Sequence, residues 1–243
     1  MIYLIFFCAC LIQALGGFGA GLVAVPLLTL LYEPKFIIPA FSVVSFALNF
    51  LILFEARGKT DWKKVSVIII GSFIGMPAGV FALKYLDQNV IRLFIAAVTF
   101  LMGVFFLFGF KPKIKESVFV LIVAGILSGF LSGSAAMGGP PLILLMISLG
   151  LKKDVFRATL IGCFIFSGVV GLTLYFISGL LTPVNLKISL LAFLPALAGT
   201  LTGIAVKNFL SEERFRKAAV FIIILIGAMG TYRAVSLLSN RGF

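Results

Sequence analysis

Two glycine-rich stretches interrupt long apolar segments, and they contain the residues best suited to bind a ligand. The first covers residues 16–21, with four glycines, and the second covers residues 133–141, with three glycines and two prolines. Inside a helix, Gly costs about 1 kcal/mol and Pro about 3 kcal/mol relative to Ala. Each stretch therefore predicts a break near the middle of its apolar segment.

A helix that begins inside a membrane can bind an anion with its backbone. Its first N–H groups have no partner within the helix, they lie at the positive end of the helix dipole, and Gly lets an anion come close to them. The breaks predict two such helix starts, at Gly21-Leu22 and at Gly139-Pro140, and Pro suits the first helical position. If both starts meet near the membrane midplane, they form a site for one small oxyanion.

Polar side chains near the breaks could complete this site. Gln13 and Asn49 are the only amides inside the predicted spans, and Arg157 opens the span after the second break. The amides fit a neutral polar solute about as well as an anion, and Arg157 also fits the ordinary role of a charge at the membrane surface. For Ser134 and Thr159, a bond to their own helix or helix packing is the alternative to ligand contact. The candidate substrate-binding residues are Gln13, Gly17, Gly19, Ala20, Gly21, Asn49, Ser134, Met137, Gly138, Gly139, Pro140, Arg157 and Thr159.

The composition predicts that a membrane surrounds these residues. Of the 243 residues, 62% are hydrophobic and 12% are charged, and the mean hydropathy is +1.24. A soluble domain of this size could not bury so much apolar surface, whereas a bilayer solvates it. The net charge of +12 comes from Lys and Arg in short loops, which indicates cytoplasmic loops and contact with anionic lipid headgroups, not nucleic-acid binding.

The same composition argues against an enzyme and against a cation antiporter of the usual kind. The chain has no His, and its eight acidic residues all lie at segment ends or in loops. Proton and sodium pathways usually need a buried carboxylate or histidine. Paired carboxylates, His ligands and a Ser–base pair are missing, and the three cysteines form no metal or redox motif. We therefore expect no catalytic residue, no metal site and no cofactor.

Eight apolar segments can be drawn along the chain. They cover residues 2–31, 37–54, 64–84, 90–109, 117–149, 155–178, 187–206 and 213–237. Six of them have about 18–25 residues, which is the length that spans a hydrocarbon core. The two broken segments are longer, so each is either one long broken span or a re-entrant hairpin that returns to the side where it began.

The basic residues discriminate between these two topologies. If all eight segments cross the membrane, the 20 Lys and Arg residues divide equally between the two sides. If both broken segments are re-entrant, 14 basic residues lie on one side and six on the other. The positive-inside rule prefers the re-entrant arrangement and makes the loops at 55–64, 110–116, 150–157 and 207–217 cytoplasmic.

An internal repeat divides the chain into two halves. Residues 71–110 align with residues 195–234 at an offset of 124, and the two breaks align at an offset near 119. Each half then has one broken segment and three plain spans, so with re-entrant hairpins the second half is inverted relative to the first. We predict an all-α polytopic membrane protein of two inverted repeats, residues 1–110 and 111–243, each a re-entrant hairpin or broken helix plus three transmembrane helices.

Taken in order, the motifs of the chain resemble those of the sulfite exporter family TauE/SafE, also called the toluene-sulfonate uptake permease family. The motifs lie at residues 16–28, 40–49, 57–62, 71–79, 133–140, 156–159 and 199–203. The chain differs from the family where three consecutive glycines are common, since it has Gly19-Ala20-Gly21. It also has Pro39 where the repeat would place an Arg matching Arg157.

The resemblance implies a multi-pass transporter of the cell inner membrane that moves sulfite, sulfonates or related organic anions. It also implies that the two glycine-rich segments and their polar neighbours form the substrate path. We expect transport by alternating access, with a small anion and anionic lipids as partners and an oligomeric state that the sequence leaves open. Two alternatives remain at this point, a transporter of a neutral polar solute and a membrane partner protein that transports nothing.

Overall fold

A computed structural model describes residues 1–56, 58–109 and 114–206. Within these residues the chain forms nine α-helices and no strand, which confirms the predicted all-α class. The helices are α1 (Ile2–Gly16), α2 (Ala20–Leu31), α3 (Pro34–Glu55), α4 (Trp62–Tyr85), α5 (Gln88–Phe108), α6 (Val118–Ala135), α7 (Gly139–Ser148), α8 (Lys153–Ile177) and α9 (Pro183–Val206). The predicted segment at 213–237 lies outside the described residues.

Six helices of the described part are long and apolar enough to cross a membrane, namely α3, α4, α5, α6, α8 and α9. Together with their composition, they make the chain a multi-pass membrane protein. The prolines at positions 39, 77 and 195 lie inside α3, α4 and α9. Membrane helices accept such prolines because neighbouring helices and side chains satisfy the freed backbone groups.

Both predicted breaks are present, but they are shorter than the sequence suggested. The first gap is residues 17–19, and α2 begins at Ala20, one residue before the expected start. The second gap is residues 136–138, so the expected break at residues 133–135 is wrong and these residues remain helical. Packing against α4 keeps them in α6, since the backbone of Gly133 lies against Met76 and Val80.

Contacts along α3 give the directions of α1 and α2. Phe6 packs against Phe41 in the first half of α3 with ring centroids 5.8 Å apart, and Gln13 bonds to Asn49 in its second half. The helix α1 therefore runs toward the end of the bundle that holds Glu55, which we call the Glu55 end. Since α3 begins three residues after the end of α2, α2 leads back to the opposite end, which we call the Pro34 end.

The second broken segment runs the other way. The backbone of Gly125 contacts Ile68 and that of Ser134 contacts Gly79, so α6 runs parallel to α4 from the Glu55 end. The helix α7 then returns to the Glu55 end, where α8 begins. These contacts support two hairpins that enter the bundle from opposite ends, hairpin 1 (α1–α2) and hairpin 2 (α6–α7). Their orientation in a membrane and the inverted repeat stay predictions.

Glycines bring each hairpin close to a helix of the other half. On α4, Gly75 lies so near α6 that a Cβ there would overlap the carbonyl oxygen of Ile126. On α9, a Cβ on Gly199 would overlap the carbonyl oxygen of Phe7 in α1. The alignment placed Gly75 on Gly199, and the two residues make the same kind of contact with the first helix of a hairpin. Small residues allow membrane helices to pack at this distance.

Candidate functional site

A cavity lies between the two breaks and is closed laterally by α3 and α8. The free space between its walls is about 710 Å³, part of which is open to solvent. Nine of the thirteen candidate residues line it, namely Gln13, Gly19, Ala20, Gly21, Asn49, Met137, Gly138, Gly139 and Pro140. The structure thus brings residues from both halves of the chain around one space, and their binding of a substrate stays a prediction.

The two breaks touch at the wall of this cavity. A Cβ on Gly21 would lie 2.5 Å from the carbonyl oxygen of Ala136, so only Gly allows the approach. Gly19, which precedes α2, has φ +107°, a conformation that side chains rarely adopt. Ala136 adopts the left-handed conformation at φ 51° without being Gly, and its amide donates to the carbonyl of Ser132 at 2.9 Å. The contact therefore fixes the backbone of both breaks.

The two helix starts offer different numbers of backbone donors. In α2 the residues after Gly19 are Ala20, Gly21 and Leu22, and each has an N–H group in the first turn, where helices leave these groups unpaired. In α7 the residues after Gly139 are two prolines, which have no N–H group. An anion in the cavity therefore finds most of its backbone donors on α2.

Two amide side chains line the same cavity as the start of α2. The Nε2 of Gln13 donates to the Oδ1 of Asn49 at 2.5 Å, and both side chains are buried, with 6% and 3% exposed. Because the Oδ1 of Asn49 accepts this bond, the two N–H donors on the Nδ2 of Asn49 point away from Gln13. Asn49 lines the cavity and can therefore donate to a ligand there.

The remaining walls combine hydroxyl groups with apolar side chains. Ser42, Ser45, Ser132 and Ser167 line the cavity, and so do Phe41, Phe46, Phe164, Leu22, Met76 and Leu172. Tyr175 also lines it and donates from its hydroxyl group to the carbonyls of Gly133 (2.9 Å) and Ser132 (3.1 Å). The sequence-based prediction did not include Tyr175 or the Phe residues. Tyr175 could have been found, because a Tyr deep in an apolar segment needs a hydrogen-bond partner for its hydroxyl.

Four candidate residues lie outside the cavity wall, and Arg157 is one of them. Ser134 donates to the carbonyl of Phe130 in its own helix at 2.7 Å, which is the alternative that the sequence left open. Thr159 accepts a hydrogen bond from the amide of Asp61 at 3.1 Å and holds the loop before α4. Gly17 ends α1 at φ +78° against the backbone of Arg157.

No charged side chain of the described residues lines the cavity. Arg157 lies just beyond hairpin 1, where it is 5% exposed and ion-paired with Glu55. No group of three His, Cys, Asp or Glu side chains in the described part of the chain could hold a metal ion. The binding chemistry of the cavity is therefore that of neutral hydrogen-bond donors in an apolar surrounding.

Charged residues lie instead at the Glu55 end. Asp61 caps α4 by accepting from the amide of Lys64 at 3.2 Å, and its carboxylate pairs with the Lys64 ammonium at 2.9 Å. Burial raises the pKa of Asp61, but the hydrogen bonds and charge of Lys64 outweigh burial and hold this pKa below its ordinary value. The Lys64 ammonium also reaches Glu116 before α6 at 2.7 Å.

Comparisons with known proteins found matches over most of the chain. The model of the family described as "Sulfite exporter TauE/SafE" matches residues 2–230. A protein of Cupriavidus necator, named "Probable sulfite/organosulfonate exporter TauE", is 26% identical over 234 residues, which cover 92% of this chain and 90% of that protein. No solved structure matches the chain.

Proposed function

The chain belongs to the sulfite exporter TauE/SafE family of membrane transporters and is not an enzyme; from that premise we propose that it carries small sulfur oxyanions, sulfite or a small sulfonate, through the cavity between its two hairpins. The Cupriavidus relative is named for sulfite and organosulfonates, which supports this substrate class. The proposal places the Glu55 end in the cytoplasm, since most Lys and Arg residues of the described part of the chain lie at that end.

The observation that carries the proposal is the convergence of donors at the start of α2. The amides of Ala20, Gly21 and Leu22 lie at the positive end of a helix dipole, and Asn49 lines the same cavity. A sulfite or sulfonate group has three oxygens and can accept from several of these donors together. Because no cation of the described residues lines the cavity, the anion is bound there without a strong ion pair, and a transporter must release its substrate as well as bind it.

The apolar part of the cavity favours an anion with a small organic group. Phe41, Phe46 and Phe164 line the wall, and they give no hydrogen bond to an oxyanion. A methyl or short alkyl group could pack there while the sulfonate oxygens bind the donors. We therefore place small organosulfonates beside sulfite in the proposed substrate class.

In the proposed mechanism, the two hairpins close the path at opposite ends of the cavity. Hairpin 1 separates the cavity from the Glu55 end, and hairpin 2 separates it from the Pro34 end. Alternating access requires that one hairpin moves away from the substrate while the other stays closed. The predicted inverted repeat provides a reason for two similar gates, one in each half of the chain.

Flux of sulfite from proteoliposomes, measured for the wild type and for Gly138→Val, tests the proposal. A Cβ at Gly138 would overlap the hydroxyl of Ser132 and approach the backbone of Ser128, so the substitution distorts hairpin 2 at the cavity. Gly171→Ala is the matched control, because its Cβ would meet only the flexible Met76 side chain at 3.3 Å. We expect saturable flux in the wild type and the control, and none in folded Gly138→Val.

Absence of sulfite and sulfonate flux from folded wild-type protein would contradict the proposal. The uncharged lining of the described residues then favours the second candidate, a transporter of a neutral polar solute, because Gln13 and Asn49 can bind such a solute equally well. Competition separates the two candidates, since only an anion transporter should be inhibited by other oxyanions.

A further inference from the structure

Arg157 is the one strongly buried cation among the described residues, and it connects its own helix α8 to α1 and α3 at the Glu55 end. It lies in the first turns of α8, its Nε donates to the carbonyl of Ala14 in α1 at 3.1 Å, and its Nη1 pairs with the carboxylate of Glu55 at the end of α3. The residue is 5% exposed. A buried charge is stable only when it is paired, so this arrangement holds the three helices together.

Arg157 and the cavity lie on opposite sides of hairpin 1. Gln13 and Gly19 line the cavity, whereas Ala14 and Gly17, which lie between them in the chain, contact Arg157. A Cβ on Gly17 would lie 2.6 Å from the Cγ of Arg157, so the guanidinium stem and the tip of the hairpin are in direct contact. Arg157 therefore lies next to the part of hairpin 1 that borders the cavity on the side of the Glu55 end.

Aromatic residues close the same end beside Arg157. Phe18 at the tip of hairpin 1 packs on Phe106 of α5 and on Phe156 of α8, with ring centroids 5.6 Å and 6.0 Å apart. Phe156 directly precedes Arg157 in the chain. Movement of Arg157 away from hairpin 1 would therefore loosen the aromatic contacts as well.

One nitrogen of the Arg157 guanidinium has no hydrogen-bond partner among the described residues. This nitrogen is Nη2, which is buried. A buried donor without a partner is costly, and a guanidinium binds best when two of its N–H groups engage two oxygens of one anion. A sulfonate or sulfite that bound Nη1 and Nη2 together would satisfy a donor that the contact between Nη1 and Glu55 does not.

We propose that Arg157 is a second anion-binding position on the path, that Glu55 occupies it at rest, and that the two residues form a latch which the substrate opens by replacing Glu55. This inference rests on the proposed function, since it needs an anionic substrate. The exchange keeps the guanidinium paired at every step, which avoids an isolated buried charge. Release of Glu55 removes one contact between the end of α3 and α8. When the Arg157 side chain then shifts with the anion, its bond to Ala14 opens and hairpin 1 can move.

Labelling of a cysteine in the cavity tests the latch independently of transport. The reporter is Ser45→Cys, at a position that lines the cavity, in a chain whose native Cys8, Cys10 and Cys163 are replaced by Ala. Membrane vesicles of both orientations are treated with a membrane-impermeant maleimide, and Lys59→Cys, at an exposed position, identifies the orientation that presents the Glu55 end. We expect Glu55→Gln to raise the labelling rate of the reporter from that end by about fivefold or more.

The exposed ion pair between Lys59 and Asp154 provides a matched control. It joins the α3–α4 connection to the start of α8 at 2.6 Å, close to the positions that the Arg157–Glu55 pair joins. Its side chains, however, are 54% and 61% exposed. Asp154→Asn should leave the labelling rate of the reporter cysteine unchanged. The latch would be overturned if the reporter cysteine were labelled at the same rate in three chains: the reporter chain itself, the chain with Asp154→Asn and the chain with Glu55→Gln.

Methanesulfonate flux tests the exchange. If Glu55 competes with the substrate for Arg157, Glu55→Gln lowers the half-saturating concentration for methanesulfonate entering from the Glu55 end but not from the Pro34 end. Arg157→Gln should raise the half-saturating concentration from the Glu55 end. Arg157→Lys should raise it less, because Lys keeps the positive charge but loses the paired N–H donors of the guanidinium. Half-saturating concentrations that are the same in all variants would overturn the exchange.

The two failures are distinguishable. Faster labelling in Glu55→Gln without any methanesulfonate flux would support the latch and contradict the proposed substrate class. Saturable flux with unchanged labelling and unchanged half-saturation would support the proposed function and assign the Arg157–Glu55 pair a purely structural role.

Discussion

Hairpin 1 and hairpin 2 meet at one cavity, but they contribute different things to it. The start of α2 presents N–H groups from three consecutive residues, Ala20, Gly21 and Leu22, and the Gln13–Asn49 amide pair lines the same cavity. The start of α7 has prolines at its second and third positions and presents fewer donors. Hairpin 1 therefore carries most of the binding chemistry, and hairpin 2 shapes the opposite wall.

The hairpins are also held differently. Three glycines of α4 face three glycines of α6, so the backbones of hairpin 2 and its partner helix touch along their length. Hairpin 1 packs on α9 through Gly199 and Gly203, and its tip depends on Arg157 and on Phe18. The contrast indicates that hairpin 2 is held along the length of its first helix, whereas the tip of hairpin 1 is held by a few specific side-chain contacts.

Substitution of the packing glycines should give the largest difference between the two hairpins. Gly75→Ala forces α4 away from α6 at the centre of the six-glycine contact, and we expect a loss of about 3 kcal/mol or more of unfolding free energy. Gly199→Ala at the aligned position disturbs a contact that has two glycines, and we expect about 1–3 kcal/mol. Denaturation in detergent compares the two, and a greater loss in Gly199→Ala would reverse the assignment.

Substitution of Gly21 should abolish transport with a smaller effect on stability. A Cβ at this position would lie 2.5 Å from the carbonyl oxygen of Ala136, so the two breaks must move apart and the donors of α2 leave the cavity. We expect sulfite flux in proteoliposomes to fall below detection in folded Gly21→Ala. Gly171→Ala also alters the cavity wall and should retain flux, and equal flux in both variants would show that the contact between the breaks is dispensable.

A negative charge at the cavity wall should reduce anion flux more than a volume-conserving substitution in hairpin 2. Asn49→Asp keeps the size of the side chain but places an ionisable carboxyl at the cavity. We expect sulfite flux at low concentration to fall by about tenfold or more, because like charges about 4 Å apart repel by roughly 4 kcal/mol near a protein surface. Met137→Leu preserves the volume in hairpin 2 and should change flux little. Undiminished anion flux in Asn49→Asp would place the anion elsewhere.

Acid should remove a small stabilisation at the Glu55 end, away from both hairpins. The pKa of Asp61 is lower in the folded protein than in the unfolded chain, so its contribution is present above the unfolded pKa of about 4 and is lost as pH falls through the lower, folded pKa. The side chain is partly exposed, so we expect less than about 1 kcal/mol. Unfolding measured from neutral pH downward should show a smaller acid loss for Asp61→Asn, and an equal loss would contradict the assignment.

Much of this comparison could be predicted from the sequence, because glycine and proline act locally. The runs at the two breaks predicted both interruptions, and hydropathy predicted the long helices. The second break was placed too early because Gly133 serves as a packing surface for α4, a long-range contact that no local pattern reveals. The absence of N–H groups at Pro140 and Pro141 was visible in the sequence, but its meaning depended on knowing that both starts face one cavity.

The side chains around the breaks were harder to predict. Gln13 and Asn49 stood out because amides are rare in apolar spans, and the structure joins them to each other. Ser134 and Thr159 look the same in the sequence as the serines that line the cavity, and only the helix faces separate them. Glu55 and Arg157 both lie near segment ends that sequence reasoning assigned to the membrane surface, yet packing against hairpin 1 buries their contact.

The central claim, that hairpin 1 binds an oxyanion through neutral donors, is tested most directly by competition between two molecules of similar shape and different charge. Sulfite flux into proteoliposomes is measured with increasing methanesulfonate or with increasing dimethyl sulfone, in which a methyl group replaces one charged oxygen. We predict that methanesulfonate inhibits flux saturably, that dimethyl sulfone does not, and that Gly21→Ala removes the flux. Equal inhibition by the two molecules would contradict an anion site and favour a site for neutral polar solutes.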